Sequence, residues 1–187
     1  MVVKKIVQMC KKTGALSLWD DENKGLQWMD NGYALYPLEQ MPYFTPETVC
    51  RAYDISEKQA EKIRFAHDRK LPEWLNTGDI DGAETIIEPL KMTLIHSGQM
   101  VQPYMTSRGI KFMDMKYMEP IQDEGNSYIN VYERFTETGE LYFAVKSGML
   151  LVAVIMPISV ISQAFIDTLG QVYVKSMAMW EGEHGDA

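Results

Sequence analysis

One stretch of this chain is written twice. Gly25-Leu26-Gln27-Trp28-Met29-Asp30-Asn31-Gly32-Tyr33 returns as Gly109-Ile110-Lys111-Phe112-Met113-Asp114-Met115-Lys116-Tyr117. The shared frame is glycine, branched aliphatic, polar, aromatic, methionine, aspartate, two free positions and tyrosine, and a proline follows each copy (Pro37, Pro120). Glycine opens a turn, the alternating apolar residues make a half-buried strand, and an aspartate that bonds its own turn ends the run. A chain of 187 residues that uses this unit twice is expected to carry β-structure in both halves.

The rest of the sequence fills in around that frame. Residues 1–44 read as an N-terminal β-unit, with strands expected at Ile6–Cys10, Ala15–Trp19 and Leu26–Leu38. Residues 45–71 read as a helical pair of helix-turn-helix outline. Thr45-Pro46-Glu47 caps the first helix, Asp54-Ile55 breaks it, and Ser56 with Gln59 forms a capping box for a second helix reaching Asp68. Residues 72–89, with Asn76-Thr77-Gly78-Asp79 and Asp81-Gly82, read as a linker. Residues 90–187 read as a C-terminal α+β unit. Its strands are expected at Leu90–His96, Met100–Met105, Ile110–Tyr117, Tyr128–Phe135, Leu141–Val145 and Met149–Met156. A helix from Ser159 then stacks Ile161, Phe165, Leu169 and Val172, and the tail from Trp180 is loose. The expected class is α+β: two mostly antiparallel β-units, an intervening helical pair and a C-terminal helix.

Composition narrows the functional classes. A net charge of −8 argues against generic phosphate binding by the whole surface, while leaving room for a local basic patch or a basic partner. The two cysteines, Cys10 and Cys50, have neither disulfide-framework nor zinc spacing and fit a reducing cytoplasm. The opening residues are too polar for a signal peptide. The apolar run from Met149 is interrupted by Pro157 and falls short of the ~18 to 20 residues of a membrane span. No membrane partner is expected.

The chemistry-bearing residues are sparse. His67, His96 and His184 lack metal-ligand spacing, and Cys50 with His67 reads better as core than as nucleophile and base. Asp30 and Asp114 are equivalent in the repeat, which does not make them adjacent; an enzyme is expected only if Asp30, Asp114 or His96 converge in one pocket. There is no phosphate-binding glycine loop, and no cofactor is expected. Charge is the stronger signal. Lys58, Gln59, Lys62, Arg64, Arg69 and Lys70 are the candidates for nucleic-acid contact, Lys4, Lys5, Lys11 and Lys12 make a second basic cluster, and Glu57 and Glu61 interleave the first. The same residues fit a plain helical hairpin with solvated charges. Opposite in sign, Glu119, Asp123, Glu124, Glu133 and Glu137 are the candidates for a basic protein partner, relieved only by Arg134; they equally fit charged edge protection.

Three stretches carry a resemblance: Gly25-Leu26-Gln27-Trp28 through Tyr36-Pro37-Leu38, Val131-Tyr132-Glu133-Arg134, and Phe143-Ala144-Val145-Lys146-Ser147-Gly148-Met149 through Met156-Pro157. They resemble a family of uncharacterised accessory proteins carried by phages, plasmids and conjugative elements of Firmicutes. The resemblance implies a bacterial host cytoplasm and fixes no activity. By analogy with other small acidic proteins of such elements, it implies a non-enzymatic inhibitor or regulator of a protein–nucleic-acid machine, most concretely an anti-CRISPR protein that blocks guide-loaded Cas9. The alternatives are a DNA-binding accessory or transcriptional regulator using the helical pair, with duplex DNA as its partner, and a structural or conjugation-accessory protein.

Overall fold

The computed structural model describes residues 2–121, 128–159 and 162–184, the stretch 180–184 as backbone alone. The chain folds as α+β around an eight-stranded, mostly antiparallel sheet and a separate three-stranded one. The first helix, α1 (Val3–Thr13), occupies the residues expected to hold the first strand. The reason is periodicity. Val3, Ile6, Val7 and Cys10 recur at helical spacing and are buried, while Lys4, Gln8 and Lys12 face solvent. Lys11 and Lys12 sit at the negative end of the helix dipole. Gly14 stops the helix at φ +69°, its amide donating to the Cys10 carbonyl at 2.9 Å.

A meander follows: β1 (Ala15–Asp21), β2 (Leu26–Asp30) and β3 (Ala34–Pro37). Asp21 builds the first turn, its Oδ1 accepting the amides of Asn23 and Lys24 and its Oδ2 the indole N–H of Trp28. Helix α2 (Pro46–Ala52) begins at the expected cap, where Thr45 Oγ1 accepts the Thr48 amide. Helix α3 (Glu57–Ala60) has the expected capping box but lasts a single turn. The chain then enters β4 (Arg64–Lys70), a strand where the second helix was expected to continue. Ile63 and Phe65 supply the alternation that fits a half-buried strand. The Arg64 amide donates to the Gly14 carbonyl at 2.9 Å and zips β4 in parallel along the open edge of β1.

Beyond residue 71 the chain crosses the outer face of the large sheet as a strap that includes β5 (Thr85–Ile87). The small sheet comprises β6 (Leu94–His96), β7 (Gln99–Thr106) and β8 (Gly109–Asp114), followed by a 3-10 turn over Met115–Met118. Strands β9 (Ile129–Phe135) and β10 (Leu141–Ser147) form the expected hairpin, and β11 (Leu150–Ile155) follows. The large sheet runs β4-β1-β2-β3-β11-β10-β9-β5, so strands from both sides of residues 72–89 share it. The join is β3 against β11, where Leu35 pairs with Val154 and Ala34 with Ile155. As expected, β11 is covered on both faces. Ala153 and Ile155 enter the main core, which also holds the buried face of α1, and Leu151 and Val154 pack with Trp28, Leu35 and Tyr142 beneath the strap.

Helix α4 (Gln163–His184) starts four residues later than expected and lays Ile166, Leu169 and Tyr173 on the small sheet, against Val101, Ile110 and Phe112. Phe165 and Val172, expected in that stripe, are exposed at 44% and 50%, while Ile161 lies outside the described residues. Among the described residues no helix is long and apolar enough to cross a membrane.

Candidate functional site

The fold gathers the basic candidates unevenly. The last turn of α1, the α2–α3 segment and the start of β4 meet at one end of the large sheet, where Lys11 Nζ donates to the Tyr53 carbonyl at 3.3 Å. Lys58, Lys62 and Arg64 are exposed there and have no ion pair among the described residues; Lys12 beside them is in the same state. The other candidates are engaged. Gln59 Oε1 accepts the Ser56 amide at 3.1 Å, so its side chain serves as a cap. The Arg69 guanidinium lies 5.9 Å from the Trp19 ring centroid, and Lys70 Nζ is 2.8 Å from Glu22 Oε1. Arg64, Arg69 and Lys70 stand on the edge strand β4 rather than on a recognition helix. With α3 one turn long, the helix-turn-helix outline is not formed.

The acidic candidates are not gathered. Glu119 lies at the start of α1, its carbonyl accepting from Lys5 Nζ at 3.0 Å, and Glu137 is exposed in the β9–β10 turn. Glu133 is only 4% exposed. Its Oε2 accepts the Ser107 amide at 2.8 Å, bracing the β7–β8 turn, so it is withdrawn from any partner surface. The strand pattern held that signal: Val131, Glu133 and Phe135 share the face that enters the core. Asp123 and Glu124 lie outside the described residues.

The repeated aspartates hold their own turns, as expected. Asp30 Oδ1 accepts the Gly32 amide at 2.6 Å and Asp114 Oδ1 the Lys116 amide at 3.1 Å. The last residues of the two copies meet. Tyr33 and Tyr117 stack at 6.2 Å between ring centroids, and the Tyr36 hydroxyl donates to the Tyr117 carbonyl at 2.8 Å. Asp30, Asp114 and His96 do not converge: Asp30 alone of the three lines the apolar cavity under the strap. Burial pushes the Asp30 carboxyl above the usual carboxylate range, against hydrogen bonds from Gly32, Trp19 and Ser17. Burial also raises the Cys10 thiol to about 12, helped by the Asp30 charge, and raises Cys50. No contact joins Cys50 to His67, whose Nδ1 lies 2.6 Å from Asp68 Oδ2. Among the described residues no group of three histidine, cysteine or carboxylate side chains is placed to hold a metal.

Two groupings were not foreseen from the sequence. The first is a buried ionic junction between strap and sheet. Arg134 Nε donates to Glu84 Oε2 at 2.7 Å, its Nη1 reaches the carbonyls of Asn76 and Gly78, and Lys146 Nζ closes on Glu84 Oε1. Asp79 fastens the strap nearby, accepting the Leu151 amide at 3.0 Å and pairing with Lys24 at 2.9 Å. The second is the aromatic cavity itself, bounded by Trp19, Tyr33 and Trp74. No protein-family model, curated protein or solved structure matches this chain.

Proposed function

We propose that this chain is a non-enzymatic inhibitor or regulator from a mobile genetic element, and that it engages a protein–nucleic-acid machine through the nucleic-acid component. The observation that supports the reading is the end of the sheet where Lys12, Lys58, Lys62 and Arg64 project without counter-ions among the described residues, beside Lys11 at the C-terminus of α1. Unpaired, solvated cations on a rigid edge displace counter-ions from a phosphate backbone and carry little sequence preference. On a chain of net charge −8 this cluster is local, which suits docking onto a preassembled complex better than coating free duplex. The proposed target is guide-loaded Cas9, and the resemblance to accessory proteins of phages and conjugative elements supports that choice.

The test pairs a cleavage assay with binding measurements. Guide-loaded Cas9 is incubated with excess protein, wild type or with Lys58, Lys62 and Arg64 replaced by alanine. The reading expects cleavage to stop with wild type and to persist with the variant. Unchanged cleavage at large molar excess of wild type removes Cas9 as the target. The basic edge also favours a second reading, a DNA-binding accessory protein. That reading expects free duplex to be bound at low salt, with a log–log salt slope that flattens by about 2 to 3 in the triple variant.

A further inference from the structure

The strap does not lie flat on the sheet. Where residues 71–75 leave β4 and cross towards β3 and β11, they roof a half-open cavity of about 170 Å³. That volume is close to a cavity of roughly 150 Å³ known to admit benzene. Its walls are aromatic and aliphatic, with Trp19 from β1, Tyr33 from the β2–β3 turn, Trp74 and Leu75 from the strap, and Met156 just past β11. Trp74 and Tyr33 are 44% and 57% exposed, so aromatic surface is presented to incoming solute. One carboxylate, Asp30, reaches this apolar lining.

Asp30 is held in place but not neutralised. Oδ1 accepts the Gly32 amide at 2.6 Å and Oδ2 the Trp19 indole N–H at 3.4 Å; with Ser17 also donating, the carboxylate keeps acceptor capacity on at least one oxygen. No lysine or arginine forms an ion pair with it among the described residues. A half-buried, positioned carboxylate without a counter-ion has lost part of its hydration, and a cation entering the cavity offsets that cost. The aromatic walls favour a cation with an apolar shell over a hydrated metal ion, because ring faces attract charge and the methyl groups fill the space.

We propose that this cavity is a binding site for a small organic cation, an alkylated ammonium group about the size of benzene, with its charge toward Asp30 and its methyl shell against Trp19, Tyr33 and Trp74. The site is separate from the basic edge and does not depend on the function proposed for it. Binding requires the ionised carboxylate. Burial holds Asp30 above the ordinary carboxylate range in the free protein, so affinity rises with pH through its titration, and binding releases protons below that point. The groups around Asp30 do not compete for that role. Cys10 from α1 and Tyr36 from β3 are both pushed up by burial and stay neutral; Ser17 and Trp19 from β1 only donate; the Arg69 guanidinium from β4 lies 5.9 Å from the Trp19 ring centroid.

The experiment titrates the full chain with tetramethylammonium and choline, following tryptophan fluorescence and calorimetry, beside 3,3-dimethylbutan-1-ol, the uncharged isostere of choline. The cations are expected to bind at least about tenfold more tightly than the alcohol. Asp30→Asn, whose amide oxygen still accepts from Gly32, is expected to lose about that factor and to remove the pH dependence. Trp74→Ala, at the exposed mouth, is expected to weaken both cations without changing the dependence on pH. Equal affinity for choline and the alcohol overturns the proposal, as does failure of wild type to bind either cation. If Asp30→Asn does not fold, the comparison of cation with isostere on wild type decides alone.

Discussion

The junction between strap and sheet allows a sharp test of what holds the outer face of this fold together. The Arg134 and Lys146 side chains are 0% and 5% exposed, and both converge on Glu84, itself 13% exposed. Glu84→Gln keeps the shape and one acceptor but leaves two buried cations facing an amide. Removing one partner of a buried ionic cluster costs about 3 to 5 kcal/mol, because the remaining charge loses its compensation without regaining water. With a urea slope of about 2 kcal/mol/M, that moves the unfolding midpoint down by about 2 M. Glu88→Gln is the matched control: an exposed glutamate four residues along the same strap, expected to shift stability by no more than about 0.5 kcal/mol. Hydrogen exchange should show the cause. The amides of residues 76–84 should lose protection before β10 and β11 do, because the remaining ties there are a few side-chain bonds, Arg134 and Tyr142 to strap carbonyls and Asp79 to Lys24 and the Leu151 amide, whereas β5 beyond them is laddered onto β9. If Glu84→Gln falls within about 1 kcal/mol of Glu88→Gln, the junction contributes little and the strap is held by Leu71, Leu75 and their apolar neighbours.

Three further outcomes follow from other parts of the fold. Gly14→Ala should cost about 1 to 2 kcal/mol in urea unfolding, since the residue sits at φ +69° and an added Cβ would lie 3.2 Å from the Lys62 carbonyl; an unchanged midpoint would refute the tight junction of α1 with β4. In the native protein, Ellman's reagent should leave buried Cys10 untouched and react only slowly with half-buried Cys50, whereas both react in denaturant; rapid modification of two thiols would contradict the packing of α1. Burial raises the Asp79 carboxyl, but the Leu151 amide and Lys24 outweigh it and hold the group below its ordinary range. Its stabilising contribution is therefore full above the unfolded carboxylate value and is lost as pH falls through the lower folded value, and Asp79→Asn should remove that part of the acid limb in a pH series of unfolding curves.

Local chemistry was legible in the sequence wherever one turn or one strand decides it. The repeat announced two strands, each ended by an aspartate holding its own turn, and Asp30 and Asp114 do so. Thr45 and Ser56 cap the helices they were expected to cap, and the β9–β10 hairpin closes across Thr136 to Gly139. At residues 6–10 the error was one of period: Ile6, Val7 and Cys10 invited a strand, and only with Val3 and Gly14 included does the helical spacing show. The second helix failed for a non-local reason. Arg64 to Lys70 becomes a strand because β1, some 50 residues earlier in the chain, offers an unpaired edge, and no feature within the segment reports that. Glu84 meets partners 50 and 62 positions away, so the ionic junction was invisible, and so was the cavity roofed by the strap it secures. The basic candidates were found by charge and then sorted by fold, with Lys58, Lys62 and Arg64 unpaired among the described residues and Gln59, Arg69 and Lys70 engaged.

The narrow seam where Leu35 pairs with Val154 and Ala34 with Ile155 has a consequence for biosynthesis. Strand β3 ends at Pro37, yet its second neighbour, β11, does not begin until Leu150, more than a hundred residues later in the chain. Through most of translation the nascent meander therefore exposes one raw flank, with Leu35 and Tyr36 behind it, and must await residue 155 before that flank is sealed. Nascent-chain complexes stalled shortly before that point should recruit holdase chaperones, and those stalled well beyond it should release them.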